Sequence, residues 1–183
     1  LDAQAPGWQG WLVFRARHLD HDPESNWTDE DLWTVWVEEV IDSETGGSTF
    51  TFDDSSLFQY VMAEDQGHAV LTADGMTIAF VSRLSNTYKD TLVAPLDPST
   101  GVIGTPSTML TATYSRQYPG SGTWSPDGAW YTTLGLAEGA ERFGITPDIL
   151  IVRADGTGET FLTNNNKIEG SPSWNPSWVN DLD

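Results

Sequence analysis

Trp124-Ser125-Pro126-Asp127-Gly128, leading into the apolar run 129–134, decides how this chain reads. Pro fixes φ at the first corner of a turn, Asp hydrogen-bonds back to the chain, and Gly accepts positive φ, so the flanking strands form a hairpin. The same arrangement occurs at Leu71-Thr72-Ala73-Asp74-Gly75 before the run 76–83, and Trp174-Asn175-Pro176-Ser177-Trp178 begins it a third time. An internal repeat follows from lining up these turns.

Each hairpin is followed by an Asp-led apolar run, Asp90-Thr91-Leu92-Val93-Ala94 and Asp148-Ile149-Leu150-Ile151-Val152. Both runs lead to a polar turn (97–101 and 155–158), and a short strand closes each copy at Met109-Leu110-Thr111 or Phe161-Leu162-Thr163. Short stretches rich in Val, Ile, Thr, Phe, Tyr and Trp, punctuated by Gly, Pro, Asn and Asp, predict an all-β chain. Residues 136–143 come nearest to a helical period, and Gly139 interrupts them.

The front of the chain carries a less regular copy. Gly10-Trp11-Leu12-Val13-Phe14-Arg15-Ala16-Arg17 matches the second strand, and Asp31-Leu32-Trp33-Thr34-Val35-Trp36-Val37 the third. Either 48–52 or 57–62 closes it, and the pattern alone does not choose. This copy shows no first strand and no Pro-Asp-Gly turn. Spacings of 53 (Asp74 to Asp127), 58 (Asp90 to Asp148) and 50 (Trp124 to Trp174) exceed the ~40 to 45 residues of a common propeller repeat, so 183 residues make three large copies and a remainder.

These residues resemble the TolB-like β-propeller repeat: a Trp-Ser-Pro-Asp-Gly hairpin, an apolar second strand, an Asp-led third strand, an Asp and Gly loop, and a closing Leu-Thr. The resemblance is strongest over 121–163, fair over 67–111 and weaker at the front. It implies a propeller-like array of about three four-stranded antiparallel blades in one domain, at about 8–63, 67–112 and 121–163, with a terminal strand at about 170–180. The strand order is then circularly permuted by one. Closed propellers have about four to eight blades, so three need strand complementation to close or extend.

Composition narrows function. With 27 acidic and 8 basic side chains, the net charge of −19 disfavours phosphate backbones and anionic membranes, which predicts no nucleic-acid partner. The absence of cysteine removes disulfides, thiolate metal sites and thiol nucleophiles. Apolar runs fall far short of the ~20 residues that cross a bilayer, which predicts no membrane insertion. The start Leu1-Asp2-Ala3-Gln4-Ala5-Pro6 is small and polar, as a processed terminus often is, so the expected location is extracellular or the cell envelope. Residues 1–67 hold 15 acids and two bases, so most of the excess charge lies at the front.

Among candidate sites, Asp20, Asp22, Glu24, Asn26, Thr28 and Asp31 have the spacing of oxygen ligands in a Ca²⁺ loop, making calcium the one cofactor candidate. The match is degenerate: Ser25 replaces the turn Gly and Asp31 the final Glu. A solvated acidic loop is the competing and weightier reading. His18 and His21 lack a third zinc ligand, so they read as surface residues. Asn26-Trp27-Thr28 is a glycosylation acceptor if the protein is exported.

Of the cluster Trp8, Trp11, Trp33 and Trp36, Trp33 and Trp36 are an odd number apart on a strand, face opposite sides and cannot both line one sugar-stacking platform. Trp11 and Trp33 are expected to pack between blades. Trp8, Trp11, Trp174 and Trp178 are the assembly candidates, with Trp8 and Trp178 exposed until a partner covers them. No motif for a serine hydrolase, zinc protease, P-loop or dinucleotide site occurs, which predicts a non-enzyme.

The expected function is a non-catalytic, exported TolB-like subunit that assembles head to tail into a homopolymer by strand exchange. The alternative is a cell-envelope propeller, half or a fragment of a six-bladed TolB-like protein, that binds a protein partner.

Overall fold

The computed structural model describes residues 7–17, 30–42, 44–61, 65–83, 89–111, 122–135, 147–165, 169–170 and 172–174. The Pro-Asp-Gly and Thr-x-Asp-Gly turns do form hairpins. Strand β4 (Asp65–Leu71) pairs antiparallel with β5 (Thr77–Arg83), which pairs with β6 (Lys89–Pro95), then β7 (Ser107–Leu110). A second four-stranded sheet repeats the order with β8 (Thr123–Trp124), β9 (Trp130–Gly135), β10 (Asp148–Arg153) and β11 (Thr160–Phe161). The front sheet has three strands, β1 (Gln9–Arg17), β2 (Glu30–Ile41) and β3 (Ser48–Tyr60). The described chain is all-β, three antiparallel sheets packed face to face as a partial propeller.

The two candidates for closing the front sheet are parts of one strand. β3 runs through 48–52 and into 57–62 as far as Tyr60, and the register against β2 shifts between Thr34 and Trp36, a bulge that lets one strand bend instead of ending.

At the first turn of the middle and last sheets, a hydroxyl and a carboxylate satisfy the chain reversal. Asp74 Oδ1 accepts from Thr72 Oγ1 at 2.6 Å and from the Met76 amide at 2.9 Å. Asp127 does the same with Ser125 Oγ and the Ala129 amide. The later turns use Asp97, which accepts from the Ser99 amide and hydroxyl, and Asp155, which accepts from those of Thr157. Asp42 accepts from the Glu44 and Thr45 amides in the β2–β3 turn.

Two apolar clusters join the sheets. Leu32 of the front sheet meets Ile78, Phe80, Leu92, Ala94 and Leu96 of the middle one, with Trp11, Val13, Phe58 and Tyr60 packed against them. The other face of the middle sheet offers Ala79, Met109 and Leu110 to Trp124, Tyr131, Leu150 and Val152. Ring edges meet in both clusters, Tyr60 to Phe80 between sheets at 5.9 Å and Trp124 to Tyr131 within the last sheet at 5.1 Å.

Trp11 packs between sheets as expected. Its ring meets Trp36 edge to face at 5.2 Å, and its indole N–H donates to the Pro98 carbonyl at 2.9 Å. Gly101, at φ +68°, lies flat under that ring, and the Thr34 hydroxyl donates to its carbonyl at 2.8 Å. Trp33 departs from expectation. Paired with Phe14 across the strands, it faces away from the middle sheet, because β2 alternates and Leu32, Thr34 and Trp36 take the inner side.

A side chain at Gly101 would overlap the Trp11 ring and strain the backbone. Gly101→Ala is expected to cost about 2–3 kcal/mol, whereas Gly46→Ala, at φ +69° with open space around it, costs about 1 kcal/mol. Urea denaturation midpoints of the two variants check the order.

Asp74, Asp97, Asp127 and Asp155 are held below the ordinary 3.8 mainly by the hydroxyls of Thr72, Ser99, Ser125 and Thr157, and Asp42 mainly by the Glu44 amide. A depressed folded-state value stabilises the fold above the unfolded pKa, and that contribution disappears as pH falls through the folded one. The thermal midpoint is therefore expected to drop below pH 3.8. The double variant Asp74→Asn, Asp127→Asn starts lower at neutral pH and loses less in acid; parallel melting curves from pH 7 to 2 test this.

Candidate assembly interface

Strand register makes the three sheets superimposable residue by residue. The Asp that opens each third strand sits opposite Ala16, Ser82 or Gly135 of its second strand. Counting back from those pairs, Leu12 takes the place of Ile78 and Tyr131, and Phe14 that of Phe80 and Thr133. In the third strand, Trp33 stands for Leu92 and Leu150, and Val35 for Ala94 and Val152. In the middle and last sheets these positions form the face packed against the preceding sheet.

The front sheet presents the same face with no sheet against it among the described residues. Leu12 is 43% exposed, where Ile78 and Tyr131 are 0% and 1%. Phe50 and Phe52 are each more than half exposed on the same side. A groove of ≈ 270 Å³ opens there between Leu12, Phe14, Val35, Phe52, Leu57 and Asp54. Trp8 continues the face: its ring lies over Gly10 and meets Phe50 edge to face at 6.5 Å, and it is 54% exposed. Glu39 anchors it by accepting the Trp8 amide at 3.0 Å, a contact that also lowers the Glu39 pKa. Trp33 adds a buried indole N–H with no acceptor among the described residues.

The edge of the sheet is open as well. In the other sheets a first strand pairs outside the second, β4 on β5 and β8 on β9. No strand pairs with the outer edge of β1 among the described residues. Alternation leaves the Trp11 and Val13 amides pointing to that edge, since Gly10, Leu12 and Phe14 bond towards β2, as Trp8 does with its carbonyl on the Glu39 amide.

At the opposite end of the stack, Trp174 repeats a contact made inside it. The Trp124 indole donates to the Val70 carbonyl of the preceding first strand at 3.1 Å. The Trp174 indole donates to the Thr123 carbonyl at 3.2 Å. Val70 and Thr123 are equivalent residues, each just before the turn strand's last position, so Trp174 sits on the last sheet as Trp124 sits on the middle one. The outward face below it carries Trp130, Leu134, Ile149 and Ile151, with the Arg153 guanidinium 4.7 Å over the Trp130 ring.

Other predicted sites divide differently. Asp31 is buried at the start of β2, where its Oδ2 accepts from Gln59 Nε2 at 2.6 Å. Asp20, Asp22, Glu24, Asn26, Thr28, His18, His21 and Trp178 lie outside the described residues, as does the stretch 136–143. Among the described residues no group of three or more His, Asp or Glu side chains is placed to hold a metal. The uncovered face escaped sequence reading because its signal lies in register: only pairing shows that Leu12 occupies a core position.

Neither a protein-family model nor a curated protein matches the chain. Among solved structures it is similar to an acylaminoacyl peptidase in complex with Z-Gly-Gly-Phe-chloromethyl ketone, with a TM-score of 0.41 and 17% identity over 72% of this chain and 23% of that one. It is also similar to TolB from Acinetobacter baumannii, with a TM-score of 0.45 and 15% identity over 87% of this chain and 42% of that one. The chain thus spans less than half the length of either structure.

Proposed function

We propose that the protein is a non-catalytic, exported structural subunit of the TolB-like propeller type, which assembles head to tail with copies of itself by strand exchange. One observation carries the reading: among the described residues, the front sheet leaves open both the strand edge and the apolar face whose equivalents are covered in the middle and last sheets. Covering that face removes Leu and Phe side chains from water at about 1.5–3 kcal/mol each. The last sheet offers a matching surface, half-buried Ile149, Ile151 and Leu134, and beside it a segment anchored through Trp174.

The charges agree in sense. Asp54 lines the front groove, and Arg153 stands on the outward face of the last sheet. A second copy thus supplies the strand and the face from one surface, a heterologous contact that propagates into a filament or closes into a ring.

Light scattering over a concentration series tests the proposal. Species larger than a monomer are expected to grow with protein concentration and with salt, which screens the −19 repulsion between copies. Deleting residues 170–183 is expected to leave a folded monomer. A concentration-independent monomer of the intact chain would overturn the reading, as would a source polypeptide carrying three further repeats, which would supply the cover from within one chain.

A further inference from the structure

The exchange has a defined register. In both complete sheets the turn strand's last residue faces the residue equivalent to Leu12: Leu71 opposite Ile78, and Trp124 opposite Tyr131. Trp174 holds the place of Trp124, as its bond to the Thr123 carbonyl shows. We propose that Trp174 of one copy lies directly opposite Leu12 of a second copy, with Ser173 opposite Val13 and Pro172 opposite Phe14. This rests on the assembly reading above and adds the partner residues.

The indole then touches both molecules at once. Its N–H stays on the Thr123 carbonyl of its own last sheet. Its ring covers the partner's Leu12, the residue left 43% exposed, as the Trp124 ring covers Tyr131 inside the stack. A large aromatic side chain enclosed at the centre of an interface is where binding energy concentrates. The exchanged strand also meets the outward amides of Trp11 and Val13, giving the edge of β1 the hydrogen bonds that β5 and β9 receive from their first strands.

The register excludes its neighbours. A slip of one residue would turn Trp174 to the inner side of the front sheet, where Trp11, Val13 and Leu32 are already packed. A slip of two would place it opposite Gly10, beneath the Trp8 ring.

The chain has no cysteine, so single substitutions report the register cleanly. Phe14→Cys protein mixed with Pro172→Cys protein is expected to give a disulfide-linked dimer under mild oxidation. Leu12→Cys mixed with Pro172→Cys, which samples the two-residue slip, is expected to give at least tenfold less. On the unsubstituted protein, hydrogen exchange at the Trp11 and Val13 amides is expected to slow at least tenfold when concentration drives assembly. Assembly without that crosslink and without that protection overturns the register while leaving assembly itself standing. A link in the slipped pair alone also overturns it, and failure to assemble at any concentration overturns both.

Discussion

A sheet that is apolar on both faces has to be covered twice, and every part of this architecture follows from that requirement. The middle sheet meets it inside the chain: Ile78, Phe80 and Leu92 are buried against the front sheet, and Ala79 against the last. The outer two sheets are built on the same pattern, yet each has one face with no sheet against it among the described residues. On the front sheet this leaves Leu12, Phe50 and Phe52 in water. Large contiguous apolar patches of that kind are uncommon on proteins that act alone. Edge strands impose the same demand in hydrogen bonds, since an unpaired edge is a template for another strand.

The acidic composition is accommodated by geometry. Carboxylates sit at the tips of the turns, where Asp42, Asp74, Asp97, Asp127 and Asp155 accept hydrogen bonds from hydroxyls or amides two or three residues away. Each charge remains in solvent while doing the structural work of the turn, so the apolar faces between sheets are kept free of it. Asp31 and Asp148 are the exceptions, buried at the starts of their strands. Asp148 accepts from the Thr163 hydroxyl and the Asn165 amide, and Asp31 accepts from Gln59 through Oδ2, its Oδ1 having no partner among the described residues. A buried carboxylate at that point ties the third strand to the chain that follows it.

Much of the fold was legible because turn chemistry is local. Pro, Asp and Gly at Pro126-Asp127-Gly128 fix a hairpin with no help from the rest of the chain, and β8 and β9 form as they dictate. The Asp-led third strands were visible for a similar reason. The continuous β3 was not, because a bulge is set by the partner strand's register and leaves no mark in composition. The orientation of Trp33 shows a further limit: alternation gives its separation from Trp36, but which side faces a neighbour depends on the sheet that packs there. The interface needed one more level, since Leu12 reads as an ordinary strand residue until pairing places it where Ile78 and Tyr131 are buried.

The distribution of charge bears on how the uncovered face escapes nonspecific association. Residues 1–67, which include the sheet with the open face, contain 15 of the 27 acidic side chains. A net charge of that sign disfavours acidic partners and the approach of two front ends to each other. A partner must therefore offer apolar area with little negative charge on it. The outward face of the last sheet carries half-buried Ile149, Ile151 and Leu134, with the Arg153 guanidinium over the Trp130 ring beside them. In the proposed assembly, front against front is penalised by repulsion, whereas front against last would join two apolar surfaces, one lined by Asp54 and the other carrying Arg153. In that proposal apolar burial supplies the attraction, and charge makes it directional.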